Sequence, residues 1–247
     1  MTEDRPVAGA ADTTGEPLVV CVDAARTYGS GPNAVVAVHG ANCAVPPGAR
    51  IAVVGPSGSG KSTLLHLMAA LDRPTAGTVS HPGLSSDTES FADILPAREI
   101  GVVFQGPSLL PPLTAMENVA LPLLIDGLEA EAAADQASAA LAELGLESLA
   151  TQLPDEMSAG QAQRVAVARM LARRPRLILA DEPTGQLDRE TARQVMAVVL
   201  SAADTLGAAV LVTTHDARVA GSLDERWYMA DGRLVQPDNP DRERESR

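Results

Sequence analysis

The sequence predicts an α/β fold with a parallel sheet at its centre, on three observations. The apolar run Ile51-Ala52-Val53-Val54 leads into Gly55-Pro56-Ser57-Gly58-Ser59-Gly60-Lys61-Ser62-Thr63, and an apolar helical pattern from Leu64 to Leu71 follows. An all-aliphatic run, Leu177 to Ala180, ends in Asp181-Glu182. A third apolar run, Ala208 to Thr213, ends in His215-Asp216. Short continuous apolar runs suit strands buried on both faces, as in a parallel sheet covered by helices. Ligands of such sheets gather at the C-terminal ends of the strands, which is where these runs place their polar residues.

The first run has the order strand, glycine loop, helix that a phosphate-binding loop requires. Gly55, Gly58 and Gly60, with Pro56, Ser57 and Ser59, let successive backbone N–H groups turn inward around an anion. The helix N-terminus adds its partial positive charge. Lys61 reaches the outer phosphates as a compact cation, the Ser62 hydroxyl is placed to ligate Mg²⁺, and Thr63 closes the motif. Lys61 is also the single lysine of the chain, since every other basic residue among the 19 is arginine. A planar guanidinium is no equivalent inside a tight phosphate cradle.

Asp181 and Glu182 end their strand at the same sheet edge. A carboxylate there can hold Mg²⁺ through its water shell, and a second can orient or deprotonate an attacking water. The pattern assigns Asp181 the first role and Glu182 the second; the plainer alternative is an acidic pair that only starts a helix. Between Lys61 and Asp181 lie about 120 residues, and a small-molecule kinase can carry such a gap too. The run Met157-Ser158-Ala159-Gly160-Gln161-Ala162-Gln163-Arg164 bears on the choice. Ser158 fits a helix N-cap, and the N–H groups of Ala159, Gly160 and Gln161 then make a second anion site.

Composition bounds the rest. A chain of 247 residues can bury a full α/β core as one large domain or two lobes. Hydrophobic residues make up 45% but aromatics only 2%, so the core is aliphatic. A net charge of −13 argues against sequence-independent nucleic-acid binding, which relies on Lys and Arg neutralising phosphates; a local basic cleft for a nucleotide stays open. Cys21 and Cys43 sit in strand-like segments without metal-ligand spacing and read as buried small hydrophobes in a reducing compartment. No stretch approaches 18 consecutive apolar residues, and no basic-then-apolar signal peptide opens the chain. The expectation is a cytoplasmic protein held at a membrane, if at all, by a partner.

Taken in order, residues 1–17 read as a disordered tail, and Leu18 to Val22 as a short strand. Tyr28 to Asn33 is a turn cluster, and Ala34 to Val45 a strand pair broken at Gly40, so an antiparallel layer precedes the parallel core. Asp72-Arg73-Pro74 stops the first helix, and Gly77 to Arg98 is polar and poorly patterned. Ile100 to Phe104 reads as a strand with Gln105 at its end. From about residue 107 to 170 the character is helical, clearest from Glu129 to Leu144. Thr191 to Leu206 is helical, Asp231-Gly232 between Trp227–Met229 and Arg233–Val235 signals a type I′ hairpin, and 237–247 is a charged tail. Arg169, Arg173, Arg174 and Arg176 read as a solvated helix face and C-terminus.

These motifs resemble the nucleotide-binding subunits of ABC transporters over about residues 18–236. Ser158 to Arg164 looks like the family's signature motif, and Leu177 to Glu182 like its Walker B strand. Gln105 matches the Q-loop, Asp188 in Gly185-Gln186-Leu187-Asp188 the D-loop, His215 the switch histidine, and Tyr28 the aromatic that stacks on adenine. The resemblance implies a P-loop NTPase of ABC type: a RecA-like parallel core, an N-terminal antiparallel β layer and an inserted α-helical subdomain. It implies ATP and Mg²⁺, the ion held by Ser62, Gln105 and Asp181, with Glu182, His215 and Lys61 acting in catalysis. It also implies a head-to-tail dimer in which Ser158, Gly160 and Gln161 of one copy, with Asp188, complete the site of the other. The partner is an integral membrane permease that holds the protein peripherally at the inner face of the membrane.

Leu64 to Gly77 and Glu117 to Leu123 are similar to the bacterial subgroup of lipoprotein-release and macrolide-export ATPases, which includes a cell-division ATPase. Export and relay of a conformational signal without transport both fit this pattern. Three departures stand out. Ala159 replaces a glycine, where a methyl crowds the opposite phosphate; Met157 replaces a leucine at nearly equal volume; and the segment from Ser80 to Arg98 is shortened.

Overall fold

A computed structural model describes residues 15–84 and 98–235. Most of the expected N-terminal tail, all of the C-terminal one and most of the segment between Ser80 and Arg98 lie outside the described residues.

The chain opens with β1 (Val19–Tyr28), β2 (Val35–Val45) and β3 (Arg50–Val54), followed by α1 (Lys61–Met68), β4 (Ala76–Ser80) and β5 (Ile100–Val103). Three helices come next, α2 (Ala115–Ile125), α3 (Ala130–Glu143) and α4 (Ala159–Leu171). Then β6 (Leu177–Asp181), α5 (Arg189–Leu206), β7 (Ala209–Thr214), α6 (Ala217–Ala220) and the hairpin β8 (Glu225–Ala230) and β9 (Arg233–Val235) complete the fold.

The larger sheet has the order β5-β6-β7-β3-β8-β9, parallel except for β9, which returns antiparallel on β8. Every residue of β6 and β7 is buried, as their apolar runs require. The register puts Val53, Thr213 and Asp181 side by side on β3, β7 and β6. The strand that feeds the glycine loop and the strand that ends in carboxylates are therefore separated by β7 alone.

One face of this sheet packs with α1 and the antiparallel sheet β2-β1-β4 around Val19, Ile51, Leu64, Leu65, Leu177 and Leu211. On the other face, Val167 of α4 and Val195 and Val199 of α5 meet Ile178 and Val210. A third, alanine-rich cluster joins α2, α3 and α4 through Val119, Leu123, Ala137, Leu141 and Val165. Within these three clusters α4 contributes to two, so it bridges the helical region and the sheet.

The strands differ from the sequence expectation in the antiparallel layer. β1 continues past Val22 to Tyr28, and Ala34–Val45 is one strand rather than a pair. Gly40, at φ 62°, is carried within it, and the pairing with β1 absorbs the irregularity in register shifts. At the bulge, the Asp23 N–H donates to Asn42 Oδ1 at 2.9 Å and the Asn42 amide donates back to Asp23 Oδ1 at 2.8 Å. The strand β4, unexpected from its polar sequence, pairs along the other side of β1. Cys21 and Cys43 face each other across β1 and β2, Cys21 buried and Cys43 half-buried, both free. Hydrogen bonding to Cys21, then burial, pushes the Cys43 thiol well above its ordinary value, so Cys43 packs as a neutral group.

Three of the four arginines read as a solvated face are pins instead. Arg173 makes a forked pair with Asp126 at 2.8 Å for each bond, tying the end of α4 to the end of α2. Arg169 donates to Ser108 O and Oγ, and Arg176 to Gly83 O and Glu99. The expected hairpin holds: Asp231 and Gly232 adopt φ 47° and 73°, as a type I′ turn requires.

Asn118, fully buried on α2, organises the chain before that helix. Its Oδ1 accepts from Leu110 N–H at 2.8 Å, and its amide donates to the carbonyls of Leu110, Leu113 and Thr114. Asn118→Ala removes the partner of these four backbone groups and is expected to cost about 1–3 kcal/mol, measured by urea unfolding.

Candidate nucleotide-binding site

The glycine loop enters α1 through Gly60, whose φ of 97° is open to glycine alone at little cost. A Cβ there would collide with the Ala37 carbonyl of β2, so the antiparallel layer sits directly against the loop. Ser59 N–H donates to Pro56 O at 3.2 Å, and Gly232 N–H of the β8–β9 turn donates to Ser59 O at 3.0 Å. The loop is thus held from both sides. Lys61 is 4% exposed, and its ammonium donates to Gly55 O at 3.0 Å and Pro56 O at 2.9 Å. Glu182 Oε1 lies 3.8 Å away. A buried ammonium needs such partners, and these are the loop's own carbonyls and one facing carboxylate.

Asp181 Oδ1 accepts from two hydroxyls, Ser62 at 2.9 Å and Thr213 at 2.6 Å. The Thr213 hydroxyl in turn accepts from Glu182 N–H at 3.0 Å, and that N–H is also shared with Thr213 O at 3.1 Å. Glu182 sits at φ 43°, a left-handed conformation that costs a residue with a Cβ about 1–2 kcal/mol. His215 Nδ1 lies 3.1 Å from Glu182 Oε2. Gln105 joins them across Gly185, where an added Cβ would lie 3.4 Å from Gln105 Nε2 and 3.3 Å from Glu182 Oε2. Lys61, Ser62, Gln105, Asp181, Glu182 and His215 therefore form one cluster. Beside it a cleft of about 150 Å³ is lined by Glu182, Gly185, Leu187, Thr214 and His215.

The donor set fits Mg²⁺: a hydroxyl and a carboxylate, both hard oxygen donors, converge at the start of α1. No group of three or more His, Cys, Asp or Glu side chains among the described residues could hold a metal ion alone. That suits an ion that keeps waters and takes substrate phosphate rather than an all-protein cage.

Ser158 caps α4 as its position predicts. Its Oγ accepts from Gln161 N–H at 3.2 Å, and Gln161 Oε1 accepts from Ser158 N–H at 2.8 Å, a full capping box. Of the three amides expected to meet an anion there, that of Gln161 is committed to the cap. Gly160 packs on Thr191, whose side chain a Cβ would strike. Thr191 in turn donates to Asp188, the N-cap of α5. The Thr191 hydroxyl, then its N–H, hold the Asp188 carboxyl below its ordinary value. That cap therefore contributes stability above the unfolded value and loses it only as pH falls through the lowered one. No hydrogen bond among the described residues joins Ser158, Gly160 or Gln161 to the glycine loop. Tyr28 ends β1, 40% exposed.

Two residues of the site were not singled out in the sequence. Thr213 bonds the Asp181 carboxylate and the Glu182 backbone N–H, and Gln163, 2% exposed, donates from Nε2 to Phe104 O at 3.2 Å, linking α4 to the residue before Gln105. Both lie within motifs read for other residues; only the sheet order and the packing of α4 show what they touch.

A glycine loop at a helix start, its lysine, and a hydroxyl bonded to a strand-end carboxylate define a P-loop nucleoside triphosphatase. A model of the ABC transporter family matches residues 38–185. The lipoprotein-releasing system ATP-binding protein LolD of Pseudomonas fluorescens is 41% identical over 220 residues, covering 88% of this chain and 97% of that protein. LolD of Geobacter metallireducens is 42% identical over 222 residues, covering 88% and 98%. Among solved structures, the dimeric ATP-binding cassette MJ0796 in a post-hydrolysis state bound to ADP and Pi is similar, with a TM-score of 0.79 and 36% identity over 89% of this chain and 97% of that one. The chain belongs to the ABC transporter family, and it is an ATPase of that family.

Thr213→Val keeps the shape of a buried side chain and removes the hydroxyl that spans Asp181 and Glu182. The expected result is a fall in kcat of roughly 10- to 100-fold with the fold retained, read by steady-state phosphate release and circular dichroism.

Proposed function

We propose that the chain is the ATP-hydrolysing subunit of a lipoprotein-release or export machine, coupling ATP binding and hydrolysis in a head-to-tail dimer to a separate membrane permease. The observation that supports it most is a split in the site. The hydrolytic cluster around Glu182 is connected within one chain. The capped start of α4, by contrast, is tied to α5. Its remaining N–H groups, those of Ala159 and Gly160, are left for the phosphates of a second copy.

In this reading the backbone N–H groups of the glycine loop that are left unpaired and the Lys61 ammonium take the phosphates, which replace the carbonyls of Gly55 and Pro56 as partners of Lys61. Ser62, Asp181 and Gln105 hold Mg²⁺ and its waters; when bound, the ion neutralises charge on the phosphate oxygens. Thr213 keeps Asp181 aimed at Ser62. Glu182 orients the attacking water and accepts its proton, and His215, bonded to Glu182, contacts the γ-phosphate. Ser158, Gly160 and Gln161 of the partner copy close on that phosphate, with Asp188 at the junction, and Tyr28 stacks on adenine.

Among the described residues no helix is long and apolar enough to cross a membrane, which fits attachment through a permease at the inner face of the membrane. The relatives named for lipoprotein release favour that class of work. The helical region carries exposed apolar side chains suited to a protein partner, among them Leu110, Leu124 and Ile125, the last 75% exposed.

Glu182→Gln should bind ATP, lose turnover and elute as a persistent dimer with ATP on size exclusion; a monomer with full ATPase activity would refute the role of Glu182. Purification of the tagged chain from membranes of its own cells should bring down an integral membrane protein with few spans, identified by mass. Recovery of the chain alone, from a membrane fraction shown to contain it, counts against the coupling.

A further inference from the structure

Tyr28 does not stand alone at the end of β1. Its hydroxyl donates to Asp72 Oδ2 at 2.8 Å, and the other oxygen of the same carboxylate accepts from Arg26 at 2.8 Å. The Arg26 guanidinium carbon lies 4.7 Å from the centroid of the tyrosine ring, over its face. Arg26 and Tyr28, two residues apart on a strand, point to the same side, so stacking and shared carboxylate follow from the pleat. Arg26 Nε is buried with no hydrogen-bond partner among the described residues. A guanidinium placed over a ring with one N–H unpaired is held there by the ring and the carboxylate together.

Asp72 belongs to the turn that follows α1, and the turn is itself fastened to β1. Thr75 N–H and Oγ1 donate to Ala25 O, and Thr27 N–H donates to Thr75 Oγ1. The Asp72 carboxylate also accepts from Arg73 N–H at 2.8 Å. Tyr28 pairs with Val35 on β2, two residues from the Ala37 carbonyl that lies against Gly60. The ring is thus fixed relative to both ends of α1, which begins where the phosphate loop ends.

We propose that Arg26 and Asp72 are positioning residues that clamp Tyr28 as a one-sided platform for the nucleotide base. Asp72 fixes the rotation of the ring through its hydroxyl, and Arg26 covers one face and leaves the other for a flat aromatic ligand. This rests on the reading that Tyr28 stacks on adenine. The clamp then sets base affinity and leaves the phosphate contacts alone.

The test compares ATP with inorganic tripolyphosphate, each with Mg²⁺, by calorimetric titration of the full chain. Tyr28→Ala should weaken ATP roughly 5- to 100-fold, the range of one base stacked on an aromatic ring. Arg26→Ala and Asp72→Asn should each weaken ATP roughly 2- to 10-fold, and none of the three should change tripolyphosphate affinity. Arg26→Ala should cost nothing further in the Tyr28→Ala background, and Arg26→Lys should recover part of the loss. Should Asp72→Asn fail to fold, Tyr28→Phe, which keeps the ring and removes the hydroxyl, is measured in its place. Wild-type ATP affinity in Arg26→Ala, with Tyr28→Ala weakened, overturns the clamp and spares the stacking reading. A parallel fall for tripolyphosphate, or additive losses in the double variant, also overturns it, since both mean general support of α1. An unaffected Tyr28→Ala removes the stacking reading, and the clamp with it.

Discussion

A single carboxylate oxygen, Asp181 Oδ1, accepts hydroxyls from two different elements, Ser62 at the start of α1 and Thr213 at the end of β7. These bonds exist because β3, β7 and β6 lie side by side with Val53, Thr213 and Asp181 in register. Slip one strand by a residue and every side chain changes face, so the Ser62–Asp181 contact and the Thr213 bridge would go together. The buried aliphatic runs that fix this register thereby fix the site. Packing and chemistry here are one constraint.

From that row the rest of the molecule can be followed outward. The antiparallel layer supports the loop from below through Ala37, and the β8–β9 turn supports it through Gly232. On the opposite side α4 is shared between the core of the sheet and the alanine-rich helical cluster. Gln163 on that helix reaches the carbonyl of Phe104, next to Gln105. The helical region is thereby linked to the residue next to Gln105 through one buried amide.

The glycine loop, the carboxylate pair and the Ser158 cap were legible in the sequence because each is a local pattern whose chemistry depends on neighbours along the chain. The same holds for the Asp231-Gly232 turn, where two positive φ angles leave few residue choices. What sequence left open was non-local. β4 is mostly exposed and polar, and is a strand only because β1 offers it an edge. Gly40 looked like a break, yet an antiparallel pair can take up an irregular residue by shifting register. Arg173 looked like a solvated charge until α2 supplied Asp126. Thr213 gave no sign of its role, since the Asp181 carboxylate and the Glu182 N–H it bonds lie at the end of a strand placed beside it by topology alone.

Glu182 carries a last implication in its backbone angle. At φ 43° it occupies a region where glycine would be comfortable and a glutamate is not, kept there by its N–H on Thr213. The position is thus set against thermodynamic optimisation of the chain: glycine, the residue that relaxes the turn most, carries no carboxylate. Selection for robustness alone would favour glycine here, and the role proposed for Glu182 would go with the carboxylate. If that role holds, activity and stability pull in opposite directions at this one position.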